Sequence, residues 1–388
     1  MKIHIVLPRA TLFDNNGILY PNAKEMLLSF NEKGYELILI SHTVAKHQEL
    51  KEKVKVATGL DVSFHTRGKI REIFNKETAK PLLKTTVVIG SSNDDLYLAT
   101  NFKLLLINPG WSYIKDEKPI KYGLTINNPE KIVQMVDIIA NQQHWFFNLA
   151  IDEKTDLYAL TSANNNSASE EEGVIIDGFR AFLKKGIRDT YYEALFFHFI
   201  SGVMKSDDLR KIDIWGIMPS SGSTLNEDML EIKERCRYLT GKRVREPLFI
   251  RHTVVPKSHY TSHDERMRIG SSKHLDSINI NPYYRGKLSG KTVCILDDYV
   301  TNGPSFEALR NLLLKAGVAR VIFVAIGRFR RGSEGVYQKE DYQILGDVFS
   351  SNYTYELISK DPYFGMRAKY DLASKHEVEN IHGILNGW

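Results

Sequence analysis

Cysteine is scarce in this sequence, and no long apolar run is present. Only Cys236 and Cys294 occur among the 388 residues, too few for a disulfide framework or a four-cysteine zinc site. Because disulfides are rare in reducing compartments, this cysteine content favours a cytoplasmic protein. The longest apolar stretch, Ala194–Met204, contains His198 and Ser201 and is much shorter than the ~20 residues that span a bilayer. We therefore expect no membrane partner.

A large excess of charge of one sign is also absent. The 52 basic and 47 acidic residues give a formal net charge of +5. This value is compatible with an anionic ligand and neither indicates nor excludes a nucleic acid. With 43% hydrophobic and 26% charged residues, the composition is that of a globular protein, and 388 residues predict two domains or three.

The N-terminal third alternates short apolar runs with helical patterns. The residues between the first two runs, Asn22–Lys33, have apolar positions at helical spacing and are followed by a glycine. Four buried strands are predicted, at Lys2–Leu7, Glu36–Ser41, Thr86–Gly90 and Lys103–Asn108. Alternating strands and helices favour a parallel sheet with helices on its faces, and we assign residues 1–150 to this first domain.

A polar segment then separates two halves of the chain. Ser162–Gly173 reads SANNNSASEEEG, which cannot bury a core, and we predict a linker and connecting segment over residues 151–188. A helix is expected at Asp189–Met204. Its aromatic residues are expected in the core rather than in contact with a cofactor: Tyr191, Tyr192, Phe196, Phe197 and Phe199.

A second alternating block occupies residues 189–388. Helices are predicted at Asn226–Leu239 and Ser305–Ala316. Strands are predicted at Lys211–Met218, Pro247–Val255, Lys291–Leu296 and Arg320–Gly327. The sequence therefore predicts an α/β protein with two doubly wound parallel-sheet domains.

The strongest functional signal follows the predicted strand at Lys291–Leu296. Asp297 and Asp298 come directly after its apolar residues, and the loop Thr301-Asn302-Gly303-Pro304-Ser305 then opens a helix. Ligands of open α/β sheets bind at the carboxyl ends of strands, and a helix N-terminus with a nearby glycine binds anions. A phosphate loop beside two carboxylates, which can accept hydrogen bonds from ribose hydroxyls, indicates a sugar phosphate.

A purely structural explanation of the same residues is available but less favoured. Aspartates often begin turns, and serines often cap helices. However, two adjacent carboxylates at the end of a buried strand are costly without a partner.

Residues 295–305, ILDDYVTNGPS, resemble the motif with which type I phosphoribosyltransferases bind phosphoribosyl pyrophosphate (PRPP). The resemblance extends over residues 190–345 and is greatest to the ComF-like branch, although the zinc-ribbon cysteines of that branch are missing. It implies a pyrophosphate-binding loop that includes Ser220, Ser221 and Gly222. It also implies a mobile loop within Ser258–Ile280, with three basic residues: Arg266, Arg268 and Lys273.

The resemblance also implies a reaction. A base-like acceptor would displace pyrophosphate from C1 of the ribose, and Asp297 and Asp298 would stabilise an oxocarbenium-like transition state. The same carboxylates would help to hold Mg²⁺, and the basic residues would neutralise the leaving pyrophosphate. His252, His259 and His263 are interpreted as structural rather than metal-binding, because no cysteine or HExxH pattern accompanies them.

The N-terminal block resembles the haloacid dehalogenase (HAD) superfamily in two motifs. Ser41 matches the hydroxyl of the second motif, and Gly90–Asp95 matches the fourth motif. By spacing, Leu7 and Arg9 stand where the family has its aspartate nucleophile and its acid–base aspartate, and Ser91 replaces a metal-binding aspartate. Because leucine cannot form an aspartyl-phosphate, we predict a noncatalytic domain without phosphatase activity.

Other assignments in this block stay open. A shifted alignment places Asp14 and Asn16 at the two aspartate positions, although it fits the distance to the next helix less well. Asp94 or Asp95 remains as a metal ligand, and Lys84 is a candidate for the third-motif lysine. The short span before this lysine leaves little room for a cap domain. Uncapped relatives often form oligomers, so we expect a homo-oligomer.

Three functions follow from these observations. The preferred one is PRPP-dependent phosphoribosyl transfer to an unidentified acceptor. The second is a non-enzymatic regulator that binds PRPP or a nucleotide, and the third is an effector of a bacterial stress or phage-defence system, suggested by the unusual combination of domains. The hood that selects the acceptor is expected from Val174–Lys205 or from three tyrosines of the C-terminal tail: Tyr353, Tyr355 and Tyr363.

Overall fold

The N-terminal half of the computed structural model is a six-stranded, fully parallel sheet of order β3-β2-β1-β4-β5-β6. Its strands are β1 His4–Pro8, β2 Glu36–Ile40, β3 Phe64–His65, β4 Thr86–Ile89, β5 Leu105–Pro109 and β6 Leu124–Ile126. The four predicted strands are confirmed to within two residues at each end. The structure describes residues 2–142, 145–164, 173–174, 176–178, 181, 190–220, 226–255, 262–329 and 337–386.

Helices connect these strands and cover the sheet. They are α1 Arg9–Leu12, α2 Pro21–Glu32, α3 His47–Thr58, α4 Arg67–Phe74, α5 Lys80–Leu83, α6 Asn93–Phe102, α7 Glu117–Tyr122 and α8 Pro129–Asn141. The helix predicted at Asn22–Lys33 is α2, which begins at a proline whose missing N–H needs no partner there.

The second sheet is mixed rather than fully parallel, and its order is β16-β7-β8-β13-β12-β9. Its strands are β7 Phe147–Asp152, β8 Thr155–Ser162, β9 Ile214–Ile217, β12 Thr292–Val300, β13 Arg320–Arg328 and β16 Lys369–Tyr370. The pairs β8–β13, β13–β12 and β12–β9 are parallel, whereas β7 pairs antiparallel with β8 and with β16. A second fully parallel sheet was expected, but only the four strands β8, β13, β12 and β9 of this sheet are parallel.

The β7–β8 hairpin corrects the predicted domain boundaries. β7 crosses residue 150, where the first domain was expected to end, and β8 lies within the predicted connecting segment 151–188. Both strands belong to the second sheet because alternate residues, such as Leu157 and Ala159, are buried in its core. The polar run that suggested a linker begins only where β8 ends, and its residues 165–172 lie outside the described residues.

Two antiparallel strand pairs and six helices complete the described part of the C-terminal half. The strand pairs are β10 Phe249–Arg251 with β11 Ile278–Ile280, and β14 Lys339–Gly346 with β15 Tyr353–Asp361. The helices are α9 Thr190–Lys205, α10 Glu227–Leu239, α11 His263–Ile269 with the following short α12 Ser272–Leu275, α13 Pro304–Lys315 and α14 Ala373–Asn386.

Helix α9 lies in the core that the two sheets share. Tyr192, Phe196, Phe197 and Phe199 are each at most 3% exposed, and they belong to one apolar cluster with residues of both sheets. Tyr191 is half-buried and stacks on His382 of α14, with ring centroids 3.9 Å apart. The predicted helix and the predicted core role of its aromatic residues are confirmed.

Arginine side chains also tie the two halves together. Arg210 donates hydrogen bonds to the carbonyl oxygens of Phe102 and Lys103 at 2.8 and 2.6 Å, and Arg235 donates to the carbonyl of Gly123 at 2.8 Å. Both arginines belong to the C-terminal half and their acceptors to the N-terminal half. No helix that the structure describes is long and apolar enough to cross a membrane.

Candidate functional site

The candidate site lies at the carboxyl end of β12, where a neighbouring strand stops. β12 pairs with β9 only as far as Leu296, opposite Ile217, whereas its pairing with β13 continues to Val300. Asp297 and Asp298 therefore lie within the strand rather than after it, and both are half-buried. The end of β9 leaves space beside them, and ligands of open α/β sheets bind at such carboxyl ends.

The two carboxylates are bound to the backbone of the same strand. The N–H of Asp298 donates to Asp297 Oδ1 at 2.9 Å, and the N–H of Tyr299 donates to Asp298 Oδ1 at 2.7 Å. Burial, together with the adjacent charge of Asp298, raises the pKa of Asp297 well above its ordinary value. A cation that arrived beside Asp297 would favour its ionised form, so the charge of this carboxyl depends on what is bound.

The predicted Mg²⁺ can be tested against these donors. Carboxylate oxygens are ligands that Mg²⁺ prefers, and the ion usually keeps waters and substrate phosphates as further ligands. Within the described ranges, no group of three or more His, Cys, Asp or Glu side chains could hold a metal ion. His252 is exposed, while His259 and the side chain of His263 lie outside the described residues. Asp297 and Asp298 therefore fit Mg²⁺ only together with a ligand that supplies oxygens.

The loop 301–305 turns its carbonyl groups toward the protein interior. Arg328, which is fully buried, donates to the carbonyl of Thr301, and the N–H of Gln338 donates to the carbonyl of Asn302 at 2.8 Å. The loop leads into α13, whose first two N–H groups have no hydrogen-bond partner in the part of the chain that the structure describes. Such N–H groups, with the positive end of the helix dipole, bind anions.

Gly303 is required by a packing contact as well as by the backbone. Its φ of 86° lies in the left-handed region, and a Cβ at this position would overlap the ring of Tyr337. The Tyr337 hydroxyl donates to Glu307 Oε1 at 2.7 Å, so the ring cannot easily move away. The sequence suggests close approach of a ligand as the reason for this glycine, and packing against Tyr337 is a second reason. A Gly303→Val variant would therefore disturb the fold as well as any ligand binding.

A cavity of 140 Å³ opens over this loop. It is lined by residues 299–305 together with Gly270, Lys273 and His274. This space is large enough for a phosphate group. Two larger grooves, of 580 and 700 Å³, lie on the flanks of α2, α8 and α14, and no strand residue lines either of them. The smaller cavity is the better candidate because the loop 301–305 and the first residues of α13 line it.

The predicted pyrophosphate loop begins where β9 ends. Ser220 is described, whereas Ser221 and Gly222 lie outside the described residues. The carbonyl of Ser220 accepts a hydrogen bond from Arg251 Nε, and Arg251 Nη1 also donates to Ser277 Oγ at 2.6 Å. Burial lowers the pKa of Arg251 to about 10. Arg251 therefore fixes the start of this loop to the turn before β11.

The segment predicted as a mobile loop, Ser258–Ile280, contains regular structure. It includes α11, α12 and β11, and residues 256–261 lie outside the described ranges. Lys273 lines the cavity, as a ligand contact requires, whereas the exposed Arg268 does not. Nothing is described of the Arg266 side chain. Of the three predicted basic contacts, the structure thus brings Lys273 to the site.

The C-terminal strand pair holds this segment in place. Glu340 is 1% exposed, and its carboxylate accepts from the N–H of Ser271, just before α12, at 2.7 Å. The Tyr353 hydroxyl donates to the carbonyl of Ile278 at 2.6 Å, and the Tyr355 hydroxyl donates to a carboxylate in the same turn at 2.5 Å. Tyr353 and Tyr355, expected in the hood, instead support residues 270–278, and neither lines the cavity.

The other predicted part of the hood also differs from expectation. α9, which forms the end of Val174–Lys205, is buried between the sheets and cannot cover a ligand at β12. Tyr363 is 65% exposed and does not line the cavity. The contact that would select an acceptor is thus not among these residues.

Two functional residues, Arg251 and Arg328, were missed by the sequence reasoning. Each is the last residue of a strand, and each binds carbonyl oxygens of a loop at the site. A usable signal existed, because a charged residue that ends an apolar strand must find a partner near the carboxyl edge of the sheet.

Leu7 and Arg9, which the sequence aligned with two catalytic aspartates, lie at the carboxyl end of β1. Leu7 is fully buried, and the Arg9 guanidinium donates to the Tyr113 hydroxyl at 3.1 Å. The side chain of Asp14 accepts from the N–H of Ile18 at 2.8 Å, which is the behaviour of a turn residue.

The remaining HAD-type positions are engaged in structural contacts. Asp95 is 1% exposed, forms a capping box at the start of α6 and pairs with Arg67 at 2.5 Å. Ser91 donates to the Ser112 hydroxyl at 2.7 Å. Lys84 pairs with Asp207 at the end of β4 opposite to Ser91, so the structure does not bring it near the other positions of the resemblance.

Comparison of the sequence with protein-family models gave no match, and a search of curated proteins found no significant relative. The argument for function therefore depends on the geometry at β12. That geometry places a helix N-terminus and one lysine around a small cavity, and two carboxylates on the strand that leads into the loop lining it.

Replacing Asp297 by asparagine should stabilise the fold at neutral pH. When folding raises the pKa of a carboxyl, the free energy of unfolding falls as the pH rises. The fall extends from the pKa of the unfolded chain, near 4, toward the pKa of the folded protein. We expect Asp297→Asn to raise the free energy of unfolding by on the order of 1 kcal/mol at pH 7.5 and by almost nothing at pH 4. Urea unfolding of both proteins at several pH values measures the difference.

Asp213→Asn is the matched control. Burial, which would raise the pKa of Asp213, is outweighed by a hydrogen bond from the Thr292 N–H and by Lys242, so its pKa is lowered. This variant should lose stability at pH 7.5 and lose less near pH 4. An Asp297→Asn gain that did not vary with pH would contradict the raised pKa.

The N-terminal half should not release phosphate from phosphomonoesters. The family reaction needs an aspartate nucleophile and a second acid–base aspartate, and Leu7 and Arg9 occupy those positions. Phosphate release by the full chain with Mg²⁺ should equal that of buffer alone. Turnover that disappeared in Asp14→Asn would show instead that the shifted alignment is correct.

Proposed function

We propose that this chain binds PRPP, or a closely related phosphorylated ribose, at the carboxyl end of β12 and transfers the phosphoribosyl group to a base-like acceptor. The observation that carries the proposal is the order of elements at this strand: Asp297 and Asp298 lie in the carboxyl-terminal half of β12, and the loop 301–305 with the first residues of α13, which follows, lines a cavity. The parallel order β8-β13-β12-β9, with the motif loop after β12, supports a fold of the type I phosphoribosyltransferase kind.

Each part of the site has a role in this proposal. The N–H groups of the loop and of the first turn of α13 bind the 5′-phosphate, and Lys273 adds a positive charge. Asp297 and Asp298 accept hydrogen bonds from the 2′- and 3′-hydroxyls of the ribose. In this proposal the pyrophosphate is received by the segment that begins at Ser220, whose carbonyl Arg251 binds.

In the reaction, a bond forms between C1 of the ribose and a nitrogen of the acceptor. The bond between C1 and the pyrophosphate oxygen breaks, and its electron pair leaves with pyrophosphate. The ribose ring gains positive charge in the transition state, which the carboxylates of Asp297 and Asp298 stabilise. Mg²⁺, when bound, would neutralise charge on the pyrophosphate oxygens.

The raised pKa of Asp297 suits this role. Without ligand, burial and the charge of Asp298 favour its protonated form. A bound cation, or positive charge on the ribose, favours its ionised form. An ionised Asp297 interacts more strongly with the positively charged ribose of the transition state than with the neutral ribose of the bound substrate.

For the N-terminal half we propose a HAD-like fold that serves as a scaffold. Its strand order places β1 at the centre, and Leu7 and Ser91 stand at the edge where a phosphatase needs carboxylates. Arg210 and Arg235 attach it to the C-terminal half. A homo-oligomer and a role in bacterial defence stay predictions from the sequence.

One observation favours the second candidate, a regulator that binds PRPP without turnover. Residues 270–278, expected to move over the ligand, are held by Glu340, Tyr353 and Tyr355. A segment fixed in this way suits binding better than the loop closure that excludes water during catalysis. The two functions therefore share one ligand and differ in turnover.

Titration calorimetry with PRPP and Mg²⁺ tests the shared ligand. The double variant Asp297→Asn, Asp298→Asn should bind PRPP at least about tenfold more weakly, because ribose contacts are lost, and should bind inorganic phosphate within about threefold of the original chain. Asp213→Asn, at the other end of the same sheet, should leave both affinities unchanged. A screen for pyrophosphate release with base-like acceptors then separates transfer from binding. An original chain that did not bind PRPP would overturn both functions.

A further inference from the structure

His274 is a buried polar side chain that lines the cavity at the motif loop. The residue lies in α12 and is only 8% exposed. Its Nδ1 atom is sealed from solvent and has no hydrogen-bond partner within the described residues. Buried polar atoms are nearly always paired in folded proteins, so an unpaired Nδ1 limits which nitrogen of the ring can carry the proton.

The helix that carries His274, α12, is firmly held by contacts with other segments. The N–H of Ser271 donates to the Glu340 carboxylate at 2.7 Å, directly before α12. The Tyr353 hydroxyl donates to the carbonyl of Leu275, the residue after His274, and to the carbonyl of Ile278 at 2.6 Å. α12 is thus held at both ends, and the imidazole is presented to the cavity by a rigid support.

The ring of His274 is neutral across the physiological range. Burial is the main cause, and the charges of Lys273 and Arg251 act in the same direction, so the pKa of His274 is lowered to about 3. A neutral imidazole carries its proton on one nitrogen and a lone pair on the other. A buried N–H without an acceptor is rarer than a buried lone pair without a donor, which places the proton on Nε2.

Nε2 is then the donor that remains for a ligand. Nε2 takes part in no hydrogen bond in the described part of the chain. Unlike Nδ1, it is not sealed from solvent. The surrounding cavity already offers the N–H groups of α13 and the charge of Lys273. One further neutral donor on the opposite wall would complete the contacts of a tetrahedral anion.

We propose that His274 donates a hydrogen bond from Nε2 to the phosphate group held at the loop 301–305. The proposal rests on the proposed function, and it deepens that function by adding a specific phosphate-binding residue from outside the motif. It also gives the ligand class of the cavity as a phosphate monoester, held between the N-terminus of one helix and a neutral imidazole from another.

Amide side chains distinguish the two ring nitrogens. The amide nitrogen of glutamine can stand near Nε2, whereas that of the shorter asparagine stands near Nδ1, and leucine has no donor. His274→Gln should bind inorganic phosphate and PRPP within about threefold of the original chain. His274→Asn and His274→Leu should both bind at least about tenfold more weakly, because one hydrogen bond to a charged group is lost. Titration calorimetry on the full chain at pH 7.5 measures all four proteins.

Nitrogen NMR of the original chain gives a reading that does not depend on a variant. Addition of inorganic phosphate should shift the protonated Nε2 resonance of His274, and addition of sodium chloride at equal ionic strength should not. A purely structural role would leave that resonance unchanged and would make all three variants weaker in proportion to their loss of thermal stability. Either of these results would overturn the proposal.

The outcomes also separate this inference from the function on which it rests. If the original chain binds PRPP and the leucine and asparagine variants bind it equally well, His274 has no part in binding, while the proposed function stands. If the original chain binds neither PRPP nor phosphate, the function itself fails, and the role of His274 fails with it.

Discussion

The buried carboxylate of Glu307 connects the segments that shape the site at β12. Its Oε1 accepts from the Tyr337 hydroxyl, whose ring lies against Gly303, and its Oε2 accepts from Arg310 at 2.6 Å and from the N–H of Glu340 at 3.0 Å. Burial raises the pKa of Glu307, and the charge of Arg310 opposes that shift. A buried carboxylate is tolerated only when such partners are complete, so the motif loop and the support of α12 depend on the same group.

The strands and the motif loop could be predicted because their signals are local. Thr86–Ile89 is buried on both faces and appears in the sequence as one apolar run, while Asp297 and the glycine of the loop lie in a single segment. The partners of that loop could not be predicted in the same way. Arg251 and Tyr337 come from distant segments, and contacts across 30 residues or more leave no periodic pattern.

The halves of the chain depend on each other more than their separate sheets suggest. α9 contributes aromatic residues to one apolar cluster that includes strands of both sheets, and Arg210 and Arg235 satisfy carbonyl groups at the ends of N-terminal elements. The N-terminal half therefore has a clear packing role, because it covers surface that α9 and α10 would otherwise expose.

The position of β14 and β15 in the chain has a consequence for synthesis. The side chains that hold α12, namely Glu340, Tyr353 and Tyr355, follow it by more than 60 residues. A nascent chain that has already emerged through β13 contains every residue of the loop 301–305 and all of α12, but not their support. The proposed binding at β12 would therefore become possible only late in translation, and a truncated polypeptide would carry the motif without the contacts that hold α12.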